Sequence, residues 1–141
     1  MKLGDLSTNP NSFRARKRAV EHKAHFLTDA GVVETREGQV RYEVGDALVT
    51  GIEGERWPVP RERFFESYLA VAPTRMGEDG RYTKIPRDVW ALCVDTPIDV
   101  DLPDSRGMLH ARPGYIIVQN ALGDHAVIGA SIFEKYYERI K

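Results

Sequence analysis

A single cysteine, Cys93, stands in the 141 residues, so the chain cannot close a disulfide on itself, and it fits a reducing compartment. No run approaches the roughly 18 apolar residues of a membrane-crossing helix, and Met1-Lys2-Leu3-Gly4-Asp5 opens no secretory signal. A cytoplasmic protein with no membrane partner is the expectation. Charge of neither sign is in excess: 20 Lys and Arg face 21 Asp and Glu, which excludes a global field that draws in nucleic acid. Glycines do not cluster at the opening of a helix, as a phosphate loop requires. No nucleophile, base and orienting group converge in the sequence, and nothing in it calls for a cofactor. His22 and His25 would share one face of a helix but point to opposite sides of a strand, and no third ligand follows at metal-site spacing, so no metal is expected.

What is present is an internal repeat. Gly38-Gln39-Val40-Arg41-Tyr42 through Gly45-Asp46-Ala47-Leu48-Val49 lies over Gly107-Met108-Leu109-His110-Ala111 through Gly114-Tyr115-Ile116-Ile117-Val118 at a constant offset of 69. The register continues through Gly54 over Gly123 and Val59 over Ile128, after which one residue drops and Phe64, Phe65 and Tyr68 fall on Ile132, Phe133 and Tyr136. These matches divide the chain into a polar arm (1–12), a first repeat unit (13–71), a Pro- and Gly-rich linker (72–80) and a second unit (81–141). With 42% apolar residues a core is available, but halves of this size are marginal alone, so the units are expected to pack as one body.

Each copy carries a hairpin: 46–50 with 55–59, and 115–119 with 125–128. Pro58 has no N–H for a ladder, which places its strand at an edge or a bulge. A short helix follows each hairpin, with Pro60 in the first turn of one and Ser131 capping the other. Upstream, 32–35 with 40–42 and 98–100 with 108–110 read as further strand pairs. Residues 13–27 fit either a helix with Phe13, Val20, Ala24 and Leu27 on one face, or strands; matching Lys17 and Ala24 to Lys84 and Ala91 favours strands. The expected class is α+β: strand-rich, two duplicated units of antiparallel hairpins each ending in a short helix, related by a pseudo-twofold axis.

Val44-Gly45-Asp46-Ala47-Leu48-Val49 with Gly54-Glu55-Arg56-Trp57-Pro58-Val59, then Phe64 or Phe65 and Tyr68, resembles a family of small bacterial and phage proteins. That family has a Pro-Gly-Asp-Tyr type turn (PGDYG-like), a Gly-Glu-x-Tyr-Pro-Val strand and a Phe-x-x-x-Tyr helix. Tyr82, Lys84, Pro86 and Ala91 resemble its opening strand. The resemblance covers about 50 residues of each copy and implies a phage- or mobile-element-associated protein with no assigned activity. The chain departs from the pattern at Val44 and Ala47, and Tyr115 stands where Asp is usual.

Function is sought where the copies diverge. Arg41 and Arg56 become His110 and His125, and Asp46 becomes Tyr115. Together with Trp57, the residues Arg41, Arg56, His110, Tyr115 and His125 form the candidate ligand-binding set. Cationic side chains on neighbouring strands suit an anionic ligand. The leading reading is a noncatalytic binding or regulatory module that recognises a protein partner or a small anionic ligand between the repeats, with a homodimer as a further option. The alternative is a small enzyme using His110 or His125 as base with Glu55 or Asp124 to orient it. Nucleic-acid contact through Arg14, Arg16, Lys17, Arg18 and Lys23 comes third, because that segment lacks interleaved aromatics and salt bridging within the chain, with 95–104 as the obvious acidic partner, accounts for it more simply. Cys93, set in an apolar strand, reads as an inert core thiol.

Overall fold

The computed structural model describes residues 4–140; the first three residues of the expected arm, and Lys141, lie outside the described residues. In chain order the strands are β1 (Phe13–Lys17), β2 (Glu21–Phe26), β3 (Gly31–Thr35), β4 (Gly38–Tyr42), β5 (Ala47–Thr50) and β6 (Arg56–Val59). Helix α1 (Arg61–Ser67) follows, then β7 (Tyr68–Ala70), β8 (Gly80–Lys84), β9 (Asp88–Cys93), β10 (Ile98–Asp101), β11 (Met108–Ala111), β12 (Ile116–Ala121) and β13 (Asp124–Ile128). Helix α2 (Ala130–Tyr136) and β14 (Tyr137–Arg139) close the chain. Residues 13–27 are thus strands. The period of two explains them: in β2 His22 and Ala24 are buried while Lys23 and His25 are exposed.

The chain forms two compact units, residues 19–85 and residues 1–18 with 86–141. The first holds a sheet in the order β6-β5-β2-β8-β7 with the hairpin β3-β4 apart from it. The second holds a sheet in the order β13-β12-β9-β1-β14 with the hairpin β10-β11. All pairings are antiparallel, and Ala24 faces Gly80 across β2 and β8 where Ala91 faces Phe13 across β9 and β1. Strand β1, at the head of 13–71, therefore has both its partners in the C-terminal half, and β8 has both of its partners in 19–85.

The expected α+β class with helix-terminated units is corrected by these elements. Strand takes up 48% of the structure against 15% helical, and the architecture is closer to all-β. The two helices have seven residues each, too short to form a layer, and neither ends its unit. Tyr68 and Tyr137 take extended dihedrals at the helix C-caps and start the edge strands β7 and β14. Phe64 stacks on Tyr68 with centroids 4.6 Å apart, and Phe133 stacks on Tyr137 at 4.9 Å. Each stack joins the fourth residue of a helix to the residue that caps its end. The helix starts differ too: Pro60 and Gly129 are the N-caps, and Ser131 lies inside α2. Pro58 sits on the edge strand β6, where its missing donor breaks no ladder. Gly45 and Gly114, at φ of 90° and 91°, occupy the left-handed region ahead of β5 and β12.

Candidate functional site

In the unit of residues 19–85 the sheet gathers a polar group inside an aromatic wall. Strand alternation turns His22 inward to 2% exposure, and Lys84 on β8 is 8% exposed. The imidazole meets Trp57 edge-on at 5.6 Å and Tyr68 at 6.1 Å, and the Lys84 ammonium stands 5.6 Å from the Trp57 ring. His22 Nδ1 lies 2.7 Å from the Val20 carbonyl, which can only accept, so Nδ1 carries the proton. Burial, then the Lys84 charge, push the His22 pKa down to about 4, while Val20 and Glu55 pull the other way. Burial also raises the Glu37 carboxyl, with Glu55 adding to the shift. The result is a neutral imidazole and a buried lysine packed together against an indole. Trp57 was in the expected ligand set. His22 and Lys84 were not, although the alternation of His22, Ala24 and Phe26 marks His22 as inward-facing.

The other expected ligand residues are dispersed. Arg41 is exposed on β4 opposite Val32, and Arg56 is exposed on β6 opposite Thr50. Glu55 accepts the Glu53 N–H at 3.0 Å. In the other unit, His110 is exposed on β11 with Nδ1 2.7 Å from Asp99 Oδ1. Tyr115 is half-buried at the turn before β12. His125 is 3% exposed and Asp124 7%. The His125 Nε2 lies 3.2 Å from Gln119 Oε1, which also accepts the Leu6 N–H at 2.7 Å, while Gln119 Nε2 donates to Asp5 at 3.0 Å. Burial lowers the His125 pKa, against the opposing pull of Asp124, the Gly4 backbone and Asp5. The histidines named as candidate bases thus have separate partners: Asp99 orients one, and Gln119 fixes the other beneath the N-terminal arm.

Gln119 is the clasp of that arm, since it ties together Asp5, Leu6 and His125. Replacing it with leucine strands the Leu6 N–H and His125 Nε2, each worth ~1–3 kcal/mol when buried and unsatisfied. The expected outcome for Gln119→Leu is cleavage ahead of Phe13 in limited proteolysis at protease levels that leave the parent chain intact. Unchanged cleavage would show that the arm is held by other means.

The basic segment is engaged within the fold. Arg16 bonds Asp88 at 2.8 Å, Arg14 lies 4.8 Å over the Trp90 ring, and Arg18 donates to the Tyr137 carbonyl at 3.0 Å with Glu138 at 3.7 Å. The partners of Arg16 and Arg18 are thus Asp88 and Glu138 instead of 95–104. Lys17 closes β1, and Lys23 stands exposed on β2 in the other unit. Cys93 is exposed at the end of β9, which corrects its reading as a core thiol. His22 and His25 point to opposite sides of β2, and His25 bonds Asp79 at 2.8 Å. Among the described residues no group of three His, Cys, Asp or Glu could hold a metal ion, and no helix is long and apolar enough to cross a membrane.

No curated protein and no solved structure matches this chain. A family model does: the one described as PGDYG protein matches residues 38–138, from β4 through β14 and so across the motifs of both hairpins. With most of its length matched, the chain belongs to the PGDYG protein family.

Proposed function

We propose that this chain is a noncatalytic binding module made of two tandem copies of one unit, with a protein carrying an acidic segment as its partner. The single observation that carries the reading is how the histidines are held. His22 is fixed by Val20, His25 by Asp79, His110 by Asp99 and His125 by Gln119, four separate places with four separate partners. General base chemistry needs such a group beside a nucleophile or a substrate site, and four imidazoles held singly by four partners, two of them in exposed pairs, suit recognition better. The shared strand order of the two sheets and the matching pairs across them support the tandem reading. The bacterial or phage setting and the cytoplasmic location belong to the same proposal, on the family motif alone.

Arg41 favours an anionic protein over a small anion. Its cross-strand partner Val32 is 54% exposed and nearby Val44 is 67% exposed, so a cation stands among apolar surface, as at the centre of a protein interface. The test is a pull-down from the source cell with the parent chain and with Arg41→Glu, whose exposed site leaves the core untouched. A specific partner retained by the parent and released by the charge reversal is the expected result. Retention of the same partner by both, or turnover of a small molecule that depends on His110, would overturn the reading.

A further inference from the structure

Both sheets carry the same row of positions on the face opposite their helices, and only one of the two rows is covered. Phe64 packs against Phe26 and Tyr82, so strand alternation turns Lys23 on β2 and Arg81 on β8 to the far side. Register sets the row: Arg81 faces Lys23, Lys23 faces Thr50, and Thr50 faces Arg56, one residue from each of β8, β2, β5 and β6. The same pairings in the other sheet give Arg14, Trp90, Gln119 and His125, from β1, β9, β12 and β13.

That second row is filled by the chain itself. The Leu6 N–H donates to Gln119 Oε1 at 2.7 Å, Gln119 Nε2 donates to Asp5 Oδ1 at 3.0 Å, and Leu6 is 4% exposed. A short turn of the arm, Leu6–Thr8 capped by Asp5, thus lies on the row with its carboxylate on an uncharged amide and its leucine buried.

The first row has no such cover, since Lys23, Arg56 and Arg81 are all exposed. Lys23 stands in the place of Trp90, over which Arg14 lies at 4.8 Å, so a cation faces a cation where the other sheet sets a cation on a ring. Like charges directly opposite one another across strands are destabilising. Glu21 takes up Arg81 at 2.9 Å, whereas the Lys23 ammonium and the Arg56 guanidinium form no ion pair or hydrogen bond among the described residues. Thr50, between them, is short, and two strand spacings separate the two cations by roughly 10 Å at the backbone.

We infer that this row is the docking site of an acidic peptide segment, laid across the strands as the arm is laid on Gln119, with carboxylates on Lys23 and Arg56. Charge complementarity selects the occupant: the covered row offers Asp5 an amide, and the open row offers two cations. Carboxylates about three residues apart on an extended peptide span the same distance. A phosphodiester strand fits less well, because the residues of β2, β5, β6 and β8 on this face include no Phe, Tyr or Trp on which bases could stack. The inference gives the acidic segment of the proposed function its seat, and rests on that reading for the partner's charge.

The probe is the blocked peptide Asp-Glu-Leu-Ser-Asp-Glu, with Asn-Gln-Leu-Ser-Asn-Gln as the neutral control and an oligothymidylate as the phosphate-strand comparison, followed by amide NMR shifts in the full chain. Saturable shifts centred on β2, β5, β6 and β8 are expected with the acidic peptide and not with its neutral control. Lys23→Gln combined with Arg56→Gln changes only exposed side chains and is expected to weaken the peptide about tenfold. Arg14→Gln, in the covered row, is expected to leave the affinity unchanged. Absence of saturable shifts, equal binding of the neutral peptide, tighter binding of the oligothymidylate, undiminished binding in the double variant, or an equal loss in Arg14→Gln would each overturn the inference. The peptide needs no cellular partner, so the Arg41 pull-down succeeds or fails separately.

Discussion

Phe64→Ala is expected to destabilise the unit of residues 19–85 by about 3–5 kcal/mol, the range for deleting a buried phenylalanine. Phe64 is fully buried and packs against four rings, Phe26, Phe65, Tyr68 and Tyr82. Its removal gives up both transfer energy and aromatic pairing, and neighbours that wedge one another edge to face collapse poorly into the space. Phe133→Ala provides the internal comparison. Phe133 is 6% exposed, touches two rings, and already borders a cavity, so fewer contacts are lost and its cost is expected at the lower end of the same range. Urea denaturation of the two variants, read by fluorescence and circular dichroism, checks the order. An equal or larger loss for Phe133→Ala would mean that the ring cluster around Phe64 is not the tighter of the two.

The same cluster shows why the strands were legible in the sequence and the class was not. Turn glycines and alternating apolar residues mark β5, β6, β12 and β13 because hairpin pairing is local, and Pro58 marks an edge by its missing donor. Strands β7 and β14 have only three residues each and carry no pattern of their own; they form by pairing with β8 and β1, which lie far off or across a loop in sequence. Two apolar positions stand beside each other in each helix, and only the fold shows that Phe64 and Phe133 are the ones that stack on Tyr68 and Tyr137. Strand β1 was recognised as a strand, but its pairing with β9 spans more than 70 residues and leaves no local trace. Of the residues around His22, Trp57 stands in a sequence motif. His22 and Lys84 escaped because they lie far apart in sequence and meet only when β2 pairs with β8.

That meeting has a consequence for acid stability. The folded His22 imidazole takes up its proton only near pH 4, whereas in the unfolded chain it does so near 6.5. Between these values the unfolded state binds more protons, so stability rises with pH across the window. The contribution is complete above 6.5 and is lost as the pH falls toward 4, about 3 kcal/mol over the span at 1.36 kcal/mol per pKa unit. His125 shifts in the same direction and adds to the slope, the raised Glu37 carboxyl opposes it, and the carboxylates of Asp79 and Asp88, held low by Phe26 N–H and by Arg16, act at more acid pH. Urea midpoints of the parent and of His22→Leu, taken at several values from pH 7 to 4.5, separate these contributions. The leucine variant is expected to lose most of the slope and keep the smaller part due to His125. Lys84→Met removes the repelling charge but not the burial, so the His22 titration followed by NMR should move upward and the acid loss should shrink. A full slope in His22→Leu would place the acid sensitivity elsewhere, and an unmoved His22 titration in Lys84→Met would leave burial as its sole cause.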